Sequence, residues 1–428
     1  MSNCKLHPEF LASTRQLFGE ERFERYLQSF DEEPPVSIRL NPLKTSTAPS
    51  QGGERLRNDD GASQSGEVCV PWCRNAYYLP QRPNFTMDPL LHAGCYYVQE
   101  AASMFLDEVL LQMHTAYANH QPGAIRPLAA LDLCAAPGGK STLLRAALPK
   151  DCVLYSNEPI RNRANILLEN VTKWGYKNHF VTNNYPRDYR SSKSHFDLIL
   201  CDVPCSGEGM FRKDEATIRE WSQQNVEKCW QLQREIVSDA WECLNEGGVM
   251  IYSTCTFNTK ENEENIRWIL DTYDAEVLKI DTKPEWNITG SLLEGFNAPV
   301  YRFIPGITRG EGMFMCMIRK GSLSPNPSPK REGRFKSSGL RMMTSDVSLQ
   351  PSAIKVELDY KSAIAYLRRE ALVLPADTPR GIVDVTFMGQ VLGQVKNIGS
   401  RANNLYPKEW KIKTTYITDN YEAILRHT

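Results

Sequence analysis

Strand-like and helix-like segments alternate through the middle of this 428-residue chain, and no other feature constrains its fold as strongly. Short apolar runs with the composition of buried strands recur there. They are LAALDLC (128–134), CVLYSNE (152–158), HFVTN (179–183), FDLILCD (196–202), VMIYST (249–254) and GMFMCMIRK (312–320). Helical spacing fills three of the intervals, at KSTLLRAAL (140–148), RNRANILLENVTKWG (161–175) and about 223–244. The alternation predicts an α/β domain whose largely parallel sheet is covered by helices on both faces.

The flanking segments divide the chain into four predicted regions. They are an N-terminal α+β extension (1–98), the α/β domain (99–321), a flexible basic linker (322–350) and a small α+β domain (351–428). In the first region, helical spacing over 7–30 precedes a strand at VSIRL and a polar loop over 46–67. The linker is rich in Ser, Pro and basic residues, and two strand-like runs surround Gly389 in the last region.

Composition and charge exclude several classes of protein. Hydrophobic residues make up 41% of the chain, and no apolar run approaches the roughly 20 residues of a membrane span, so we expect a soluble protein without a membrane anchor. The segment MSNCKLHPEF lacks the apolar core of a secretory signal, which favours a cytoplasmic location. The net charge of -1 conceals an asymmetry, because residues 322–428 carry 16 Lys and Arg against 10 Asp and Glu. This part of the chain is predicted to face a polyanion.

The twelve cysteines are scattered rather than densely and evenly spaced, which favours reduced thiols over a disulfide framework. The pairs Cys69/Cys73 and Cys201/Cys205 have no further Cys or His at metal-ligand spacing. We therefore predict no metal site.

Candidate ligand-binding residues follow the first three predicted strands of the α/β domain. In open parallel sheets the ligand lies beyond the carboxyl ends of the strands. The turn CAAPGGKS (134–141) brings backbone close to a ligand at a helix N-terminus, but it lacks the spacing of a phosphate-binding P-loop. Glu158, after the second strand, is placed to accept hydrogen bonds from ribose hydroxyls, with a plain helix-start carboxylate as the alternative. Asn183 and Asn184, after the third strand, suit an adenine edge.

Two cysteines stand at the ends of later strands, where thiols are available for chemistry. Cys205 follows the strand that ends in Asp202, and Cys255 follows the strand that ends in Thr254. The remaining cysteines of the sheet are interpreted as small core residues. Either thiol could be a nucleophile, and the residues alone leave the choice open.

Three segments carry a family resemblance. LDLCAAPGGKST, DVPCSGEGMFRKD and YSTCTFNTKENEENI resemble the signature segments of the NOL1/NOP2/Sun family of RNA 5-cytosine methyltransferases, in the bacterial RsmF-like branch that modifies small-subunit ribosomal RNA. With VSIRLNPLK, the resemblance covers about residues 5–320, and GIVDVTFMGQVLGQVKN with NNLYPKEW resembles the PUA-like ending of that branch. It implies a Rossmann-like S-adenosylmethionine-dependent methyltransferase domain, with an N-terminal α+β extension and a small C-terminal PUA-like RNA-binding domain.

The resemblance also implies a role for each candidate residue in methylating carbon five of a cytidine. Cys255 is the implied nucleophile at carbon six and Cys205 assists release, while Asp202 orients the cytosine and Lys140 lies near the methyl donor or the base. The positions implied for S-adenosylmethionine are Cys134, Ala135, Ala136, Pro137, Gly138, Gly139, Lys140, Glu158, Asn184 and Asp202. Relatives commonly carry Asp where this chain has Asn184, so the adenine contact departs from the family pattern.

The expected partner is RNA, in the first place ribosomal RNA or the small ribosomal subunit, and a monomer is expected. Arg212 and Lys213 are candidates for flanking phosphates. Basic residues near Tyr406 and Trp410 would extend the RNA footprint. These are Lys396, Arg401, Lys408, Lys411 and Lys413. A transfer RNA cytosine methyltransferase and a non-catalytic ribosome-assembly factor are the alternatives. A DNA enzyme is disfavoured because both thiols are present, and a dehydrogenase would need a G-x-G-x-x-G turn.

Overall fold

A computed structural model describes most of the chain and contains three β-sheets, one in each predicted folded region. The described residues are 6–45, 68–121, 123–321, 339–344, 352–414, 421 and 423–425. The predicted polar loop over 46–67 and most of the predicted linker lie outside this part of the chain.

The N-terminal region begins with two helices and continues into a four-stranded antiparallel sheet. The helices are α1 (Pro8–Phe18), α2 (Glu20–Gln28), α3 (Pro89–His92) and α4 (Leu106–Ala118), and the last of these leads into the central domain. The strands are β1 (Val36–Leu40), β2 (Val68–Cys69), β3 (Ala76–Leu79) and β4 (Tyr96–Val98), in the order β2-β3-β1-β4. The predicted helices and the VSIRL strand are thus confirmed, with Gly19 at the junction of α1 and α2.

The central sheet forms as the alternating pattern predicts. Its strands are β5 (Ala129–Asp132), β6 (Val153–Asn157), β7 (His179–Thr182), β8 (Phe196–Asp202), β9 (Leu244–Thr254), β10 (Ala275–Leu278), β11 (Tyr301–Phe303), β12 (Met313–Lys320) and β13 (Met342–Met343). Its helices are α5 (Gly139–Ala147), α6 (Arg161–Trp174), α7 (Pro186–Ser192), α8 (Glu215–Glu220), α9 (Gln223–Cys243) and α10 (Glu263–Thr272). Every strand and helix predicted in this domain is present.

The order of the central strands is β10-β12-β9-β8-β5-β6-β7-β13, with β11 paired to β12. β5 to β9 are parallel, whereas β10, β11, β12 and β13 pair antiparallel with their neighbours. The chain leaves β5 towards β6 on one side and returns to β8 on the other. This reversal of strand order creates a crevice at the carboxyl ends of β5 and β8, where open α/β sheets bind ligands.

The C-terminal domain is a small sheet with one helix. It contains β14 (Lys355–Glu357), α11 (Tyr360–Leu367), β15 (Gly381–Phe387), β16 (Gln390–Asn397) and β17 (Ala402–Asn404), in the strand order β14-β15-β16-β17. β15 and β16 are the two predicted runs, joined at Gly389. β14 pairs in parallel with β15, a contact that no local pattern predicts.

This C-terminal domain packs on the N-terminal region rather than standing apart from it. A single apolar cluster joins Ile38 and Met87 of the N-terminal region to Ile364 and Val385 of the C-terminal domain. The predicted RNA-facing role of Tyr406 is wrong, because its ring is 2% exposed. The Lys173 ammonium of α6 lies over the rings of Tyr406 and Trp410, at 5.9 and 5.3 Å from their centroids. These aromatic side chains therefore contribute to domain packing.

The predicted linker also contains ordered structure. Met342 and Met343 of β13 pair with Thr182 and Val181, and so extend the central sheet beyond β7. A short stretch within 322–350 thus belongs to the central domain, because Met343 contributes an apolar side chain to the cluster on α6.

Within the described ranges, no helix is long and apolar enough to cross a membrane. The described residues include no grouping of His, Cys, Asp or Glu that could hold a metal ion. The eleven cysteines in this part of the chain are free thiols, as the scattered spacing predicts.

Candidate active site

The crevice at the switch point collects polar groups from the ends of four parallel strands. Asp132 ends β5, Asp202 ends β8, Glu158 follows β6 and Cys255 follows β9. Because these strands lie side by side in the order β9-β8-β5-β6, their carboxyl ends form one continuous edge. Residues separated by more than 120 positions in the sequence are thereby brought to one site.

The two predicted reactive thiols face each other across this edge. The sulfur of Cys205 lies 3.2 Å from the sulfur of Cys255, and the backbone N–H of Cys255 donates to the Cys205 sulfur at 3.3 Å. Both residues are partly exposed. The hydrogen bond with Cys255 and burial together raise the pKa of Cys205 well above its ordinary value, so Cys205 keeps its proton at neutral pH.

Lys140 and Asp202 form an ion pair beside the thiols. The Lys140 Nζ atom lies 2.9 Å from Asp202 Oδ2, and the Ser253 hydroxyl donates to Asp202 Oδ1 at 2.7 Å. Burial alone would lower the pKa of Lys140, but the Asp202 carboxylate outweighs burial and raises it, with a further contribution from Cys255. Lys140 therefore stays positively charged, within electrostatic reach of the Cys255 sulfur.

A buried carboxylate fixes the segment that follows Cys255. Glu208 Oε2 accepts hydrogen bonds from the Thr256 hydroxyl at 2.6 Å and from the backbone N–H groups of Phe257 and Asn258 at 2.8 and 2.9 Å. Its other oxygen accepts from the Trp221 ring N–H at 3.0 Å. The Glu208 side chain thus closes the Cys205 loop onto the Cys255 loop.

A second carboxylate, Glu261, holds the Cys205 loop from the opposite side. Its Oε2 atom accepts from the Ser206 N–H at 3.0 Å and from the Gln233 amide at 2.7 Å, while Oε1 accepts from the Asn258 amide at 2.7 Å. Burial raises the pKa of Glu261 to about 7. Neither Glu208 nor Glu261 was predicted as a site residue, although both stand in the segments that carry the family resemblance.

The glycine turn approaches the N-terminal region closely. A Cβ atom on Gly139 would lie 3.3 Å from the Tyr97 ring and 3.5 Å from the Gln99 amide carbon, so a larger residue would require the Tyr97 ring to shift slightly. Arg39 of β1 donates to the carbonyl oxygen of Gly139 at 3.1 Å and to the Thr142 hydroxyl at 2.6 Å. Burial lowers the pKa of Arg39 to about 10, which leaves the guanidinium charged at neutral pH. The N-terminal region therefore positions the predicted cofactor turn.

The turn is also anchored by α6. The Asn170 amide donates to the Pro137 carbonyl at 2.8 Å, and the Arg163 guanidinium donates to the Ala136 carbonyl at 3.1 Å. The Ala135 N–H donates to the Asn157 carbonyl at 2.8 Å. The predicted turn residues 134–140 thus line the space between β5 and β6.

Asp132 and Glu158, the two carboxylates near the ends of β5 and β6, differ in their hydrogen-bond partners. Asp132 is fully buried and accepts from the Ser141 hydroxyl through Oδ2, whereas its Oδ1 atom has no hydrogen-bond partner among the described residues. Burial raises the pKa of Asp132 to about 7. Glu158 accepts from the Ile160 N–H at 2.9 Å and lies 3.4 Å from the exposed Arg163. Within the described residues, Asp132 thus has a free acceptor atom at the switch point. It was not predicted as a site residue.

Asn184 is engaged by a distant segment. Its Oδ1 atom accepts from the Arg341 N–H at 2.8 Å and its Nδ2 atom donates to the Arg341 carbonyl at 3.2 Å. The Arg341 guanidinium donates to Asn183 Oδ1 at 3.2 Å. The predicted adenine contact stays a prediction, and it would require Asn184 to release Arg341 or to share its amide with it.

The predicted flanking cations also differ in their exposure. The Arg212 side chain is 5% exposed and pairs with Glu311 at 3.4 Å, while Lys213 is exposed. Lys213 is therefore the accessible one of the pair.

Comparisons with known proteins agree with this architecture region by region. The family described as 16S rRNA methyltransferase RsmB/F matches residues 126–319, the N-terminal domain of 16S rRNA methyltransferase RsmF matches 6–101, and the methyltransferase RsmF PUA domain matches 353–412. The ribosomal RNA small subunit methyltransferase F of Cronobacter sakazakii is 31% identical over 346 residues, which cover 78% of this chain and 69% of that protein. The chain belongs to the RsmB/F methyltransferase family. The predicted family and fold class are confirmed.

Other relatives of this family support the assignment over different lengths. The protein of the same name from Pectobacterium atrosepticum is 34% identical over 342 residues, and the chain spans slightly less than two thirds of its length, 66%. Among solved structures, a methyltransferase homologue from Pyrococcus horikoshii is 26% identical and has a TM-score of 0.55, with 74% of this chain and all of that chain covered. The resemblance thus extends from sequence to the arrangement of strands and helices.

Proposed function

We propose that this chain transfers a methyl group from S-adenosylmethionine to carbon five of a cytidine in small-subunit ribosomal RNA, through a covalent Cys255 adduct with Cys205 assisting release. The observation that carries the proposal is the thiol pair, 3.2 Å apart, beside the Lys140–Asp202 ion pair at the sheet's switch point. Membership of a family described by 16S rRNA methyltransferases supports the RNA substrate. RNA as the partner belongs to this proposal, and the cytoplasmic location and the monomeric state stay predictions.

The two thiols have different electrostatic environments, and this difference suggests a different role for each. Cys205 holds its proton because its pKa is raised, whereas Cys255 lies within electrostatic reach of the Lys140 ammonium. Cys255 is thus the better nucleophile for carbon six of the cytosine, and its addition makes carbon five electron-rich. After carbon five has been methylated, removal of its proton by a base breaks the bond between carbon six and the Cys255 sulfur and restores the aromatic ring. Cys205, 3.2 Å from that sulfur, is close enough to assist this release.

Asp202 and Lys140 act on the base from the adjacent strand end. Asp202 is held by Ser253 and Lys140, so its orientation is fixed before a base arrives. In this orientation it would hold the exocyclic amine and ring nitrogen of cytosine while charge shifts through the ring. Preorganised groups of this kind lower the barrier because they do not need to reorient during the reaction.

The residues around β5 and β6 fit S-adenosylmethionine. Asp132 offers a buried acceptor that has no hydrogen-bond partner in the described part of the chain. The glycine turn offers backbone at a helix N-terminus, and Glu158 lies beyond β6 at the proposed ribose position. When bound, S-adenosylmethionine would supply the electrophilic methyl group. The turn residues Cys134 to Lys140, together with Glu158 and Asp202, would hold it, with Asn184 as the predicted adenine contact.

The substrate is tested by bisulfite sequencing of cellular RNA with and without the gene. We expect loss of a cytosine mark in small-subunit ribosomal RNA and its return with the wild-type gene. Loss of a mark only in transfer RNA would reassign the substrate to the transfer RNA alternative. If no mark changes in any RNA, the enzyme proposal is wrong and an assembly role takes its place.

The thiol roles are tested with two single variants. Cys255→Ala should abolish both methylation and covalent capture of RNA, whereas Cys205→Ala should still attack and then remain trapped on RNA. Denaturing gels of each variant with RNA and methyl donor distinguish them by a slow-migrating protein–RNA band. A trapped band for Cys255→Ala instead would reverse the assignment. Cys201→Ala, at a buried thiol of β8 ahead of the Cys205 loop, is the matched control.

A further inference from the structure

A cleft of about 420 Å³ lies between the N-terminal region and the central domain, away from the cofactor turn. Its walls come from the segment after α2, from the end of β3 and from residues 306–310 before β12. Four arginines line it, and their guanidinium groups are the dominant charges. They are Arg25, Arg82, Arg212 and Arg309.

Two of these arginines are held by aromatic rings rather than by carboxylates. The Arg309 guanidinium lies 4.0 Å from the centroid of Tyr78, and the Arg82 guanidinium lies 5.5 Å from the centroid of Phe85. Both arginines are exposed, and neither has a carboxylate at ion-pair distance within the described ranges. Ring stacking fixes the plane of a guanidinium and leaves its N–H groups directed to the cleft or to solvent, where they can bind an anion.

The other two arginines serve the walls of the cleft. Arg25 pairs with Glu32 at 2.6 Å, and Arg212 pairs with the buried Glu311 at 3.4 Å while it donates to the Glu32 carbonyl at 3.2 Å. Their charges are thus largely compensated. Arg82 and Arg309 therefore carry the remaining positive charge of the cleft, against the exposed carboxylate of Glu33, which also lines it.

The cleft is connected to the reactive thiols by a short path. Gly310 lines the cleft, and Gly312 follows it by two residues. The Gly312 N–H donates to the Gly209 carbonyl at 3.2 Å. The Gly209 N–H in turn donates to the Cys255 carbonyl at 2.8 Å. The approach requires glycine, because a Cβ on Gly209 would lie 2.5 Å from the Gly312 carbonyl oxygen. The segment that lines the cleft is therefore joined, through Gly209, to the segment that carries Cys255.

We propose that the cleft binds phosphates of the RNA strand next to the target cytidine, with Arg82 and Arg309 as the phosphate ligands. The inference rests on the proposed function for the identity of the polyanion. Arginine binds phosphate through two parallel N–H donors, and such contacts position a strand without reading its bases. An acidic protein segment is the rival occupant, and the nearness of the cleft to the Cys255 segment favours RNA.

The test is the salt dependence of RNA binding by the full chain with Arg82→Gln and Arg309→Gln combined. The probe is a fluorescent single-stranded RNA of mixed sequence, about 24 nucleotides long, titrated without methyl donor at several salt concentrations. Each lost phosphate contact lowers the slope of log affinity against log salt by about 0.7 for single strands, so we expect a slope smaller by about 1.4. At the lowest salt concentration, affinity should fall about tenfold.

The matched control combines Arg187→Gln and Arg267→Gln, two ring-stacked arginines of the central domain outside the cleft. It removes the same charge and should leave the slope unchanged. Equal slopes for the two double variants would overturn the proposal. Retained RNA binding, with loss of binding to a polyglutamate peptide, would overturn it in favour of a protein partner. The titration contains no methyl donor, so it measures RNA binding independently of catalysis. A smaller salt slope in the Arg82/Arg309 variant would therefore support the phosphate site even if bisulfite sequencing rejected the methyltransferase proposal.

Discussion

The candidate site has a thiol end, formed by the loops of Cys205 and Cys255, and a proposed cofactor end, formed by the turn 134–140 and the Asn184 loop. The two ends are held in place by different kinds of contact. At the thiol end, Glu208 and Glu261 join the Cys205 loop to the Cys255 loop, and both partners lie within about 55 positions of each other. At the cofactor end, Arg39 reaches the Gly139 carbonyl across 100 positions and Arg341 reaches Asn184 across 157. The hydrogen bonds that hold the thiol loops are thus internal to the central domain, although Phe257 of the Cys255 loop also packs on Phe18 and Tyr26 of the N-terminal helices. The turn and the Asn184 loop instead form hydrogen bonds with segments outside the parallel core. Changes at the thiol end should affect turnover, and changes at the cofactor end should affect affinity for the methyl donor.

Lys140 lies where the two ends meet, and its loss should have the largest effect. Lys140→Met removes the charge that pairs with Asp202 beside the two thiols, so we expect kcat to fall about 1,000-fold. Single-turnover methylation of ribosomal RNA measures this. Lys140→Arg keeps the charge and should recover part of the rate. A change in KM for S-adenosylmethionine alone would place Lys140 with the cofactor end instead.

Glu208 tests whether the thiol end is held from within the domain. Glu208→Ala leaves the N–H groups of Phe257 and Asn258 and the Trp221 ring N–H without their acceptor, at about 1–3 kcal/mol for each buried group that stays unpaired. We expect kcat to fall about 100-fold with an unchanged KM for the methyl donor, and thermal stability to fall as well. Glu208→Gln keeps one acceptor oxygen and should restore part of both. Equal changes in kcat and KM would show that the two ends are not independent.

Arg341 tests the opposite end. Arg341→Pro removes the N–H that Asn184 accepts, whereas Arg341→Ala removes only the guanidinium and keeps the backbone bonds. We expect the proline variant to raise KM for S-adenosylmethionine about tenfold with kcat unchanged, and the alanine variant to raise it less than threefold. Steady-state kinetics with saturating RNA give both constants. A lower KM in the proline variant would mean that Arg341 competes with the cofactor for Asn184.

The same division explains what could be predicted from the sequence. The strands of the central sheet, the glycine turn and the two thiols follow from short segments whose periodicity or spacing is local, and the structure places these segments together at one sheet edge. Arg39 and Arg341 carry no such signal, because a single Arg in an otherwise apolar strand or a basic segment has many ordinary explanations. Their roles depend on which elements dock against each other. The prediction for Tyr406 was wrong for the same reason. An aromatic residue beside lysines suits RNA stacking and domain packing equally well, and only the position of α6 distinguishes the two.

Asp132 stands between the two ends and gives the smallest expected effect, measured as stability against pH. Its pKa is raised from 3.8 to about 7, so the folded protein keeps a proton that the unfolded chain releases. The resulting stabilisation is fully present below about pH 3.8 and is lost as pH rises through about 7. Asp132→Asn cannot titrate, and its amide oxygen can still accept from Ser141. Between pH 6 and pH 8 the wild-type protein should therefore lose about 1–2 kcal/mol of unfolding free energy relative to the variant. Denaturant unfolding at the two pH values measures the difference, with the exposed Glu220→Gln as the control, and a difference of zero would mean that solvent or a neighbouring group satisfies Asp132 Oδ1 in solution.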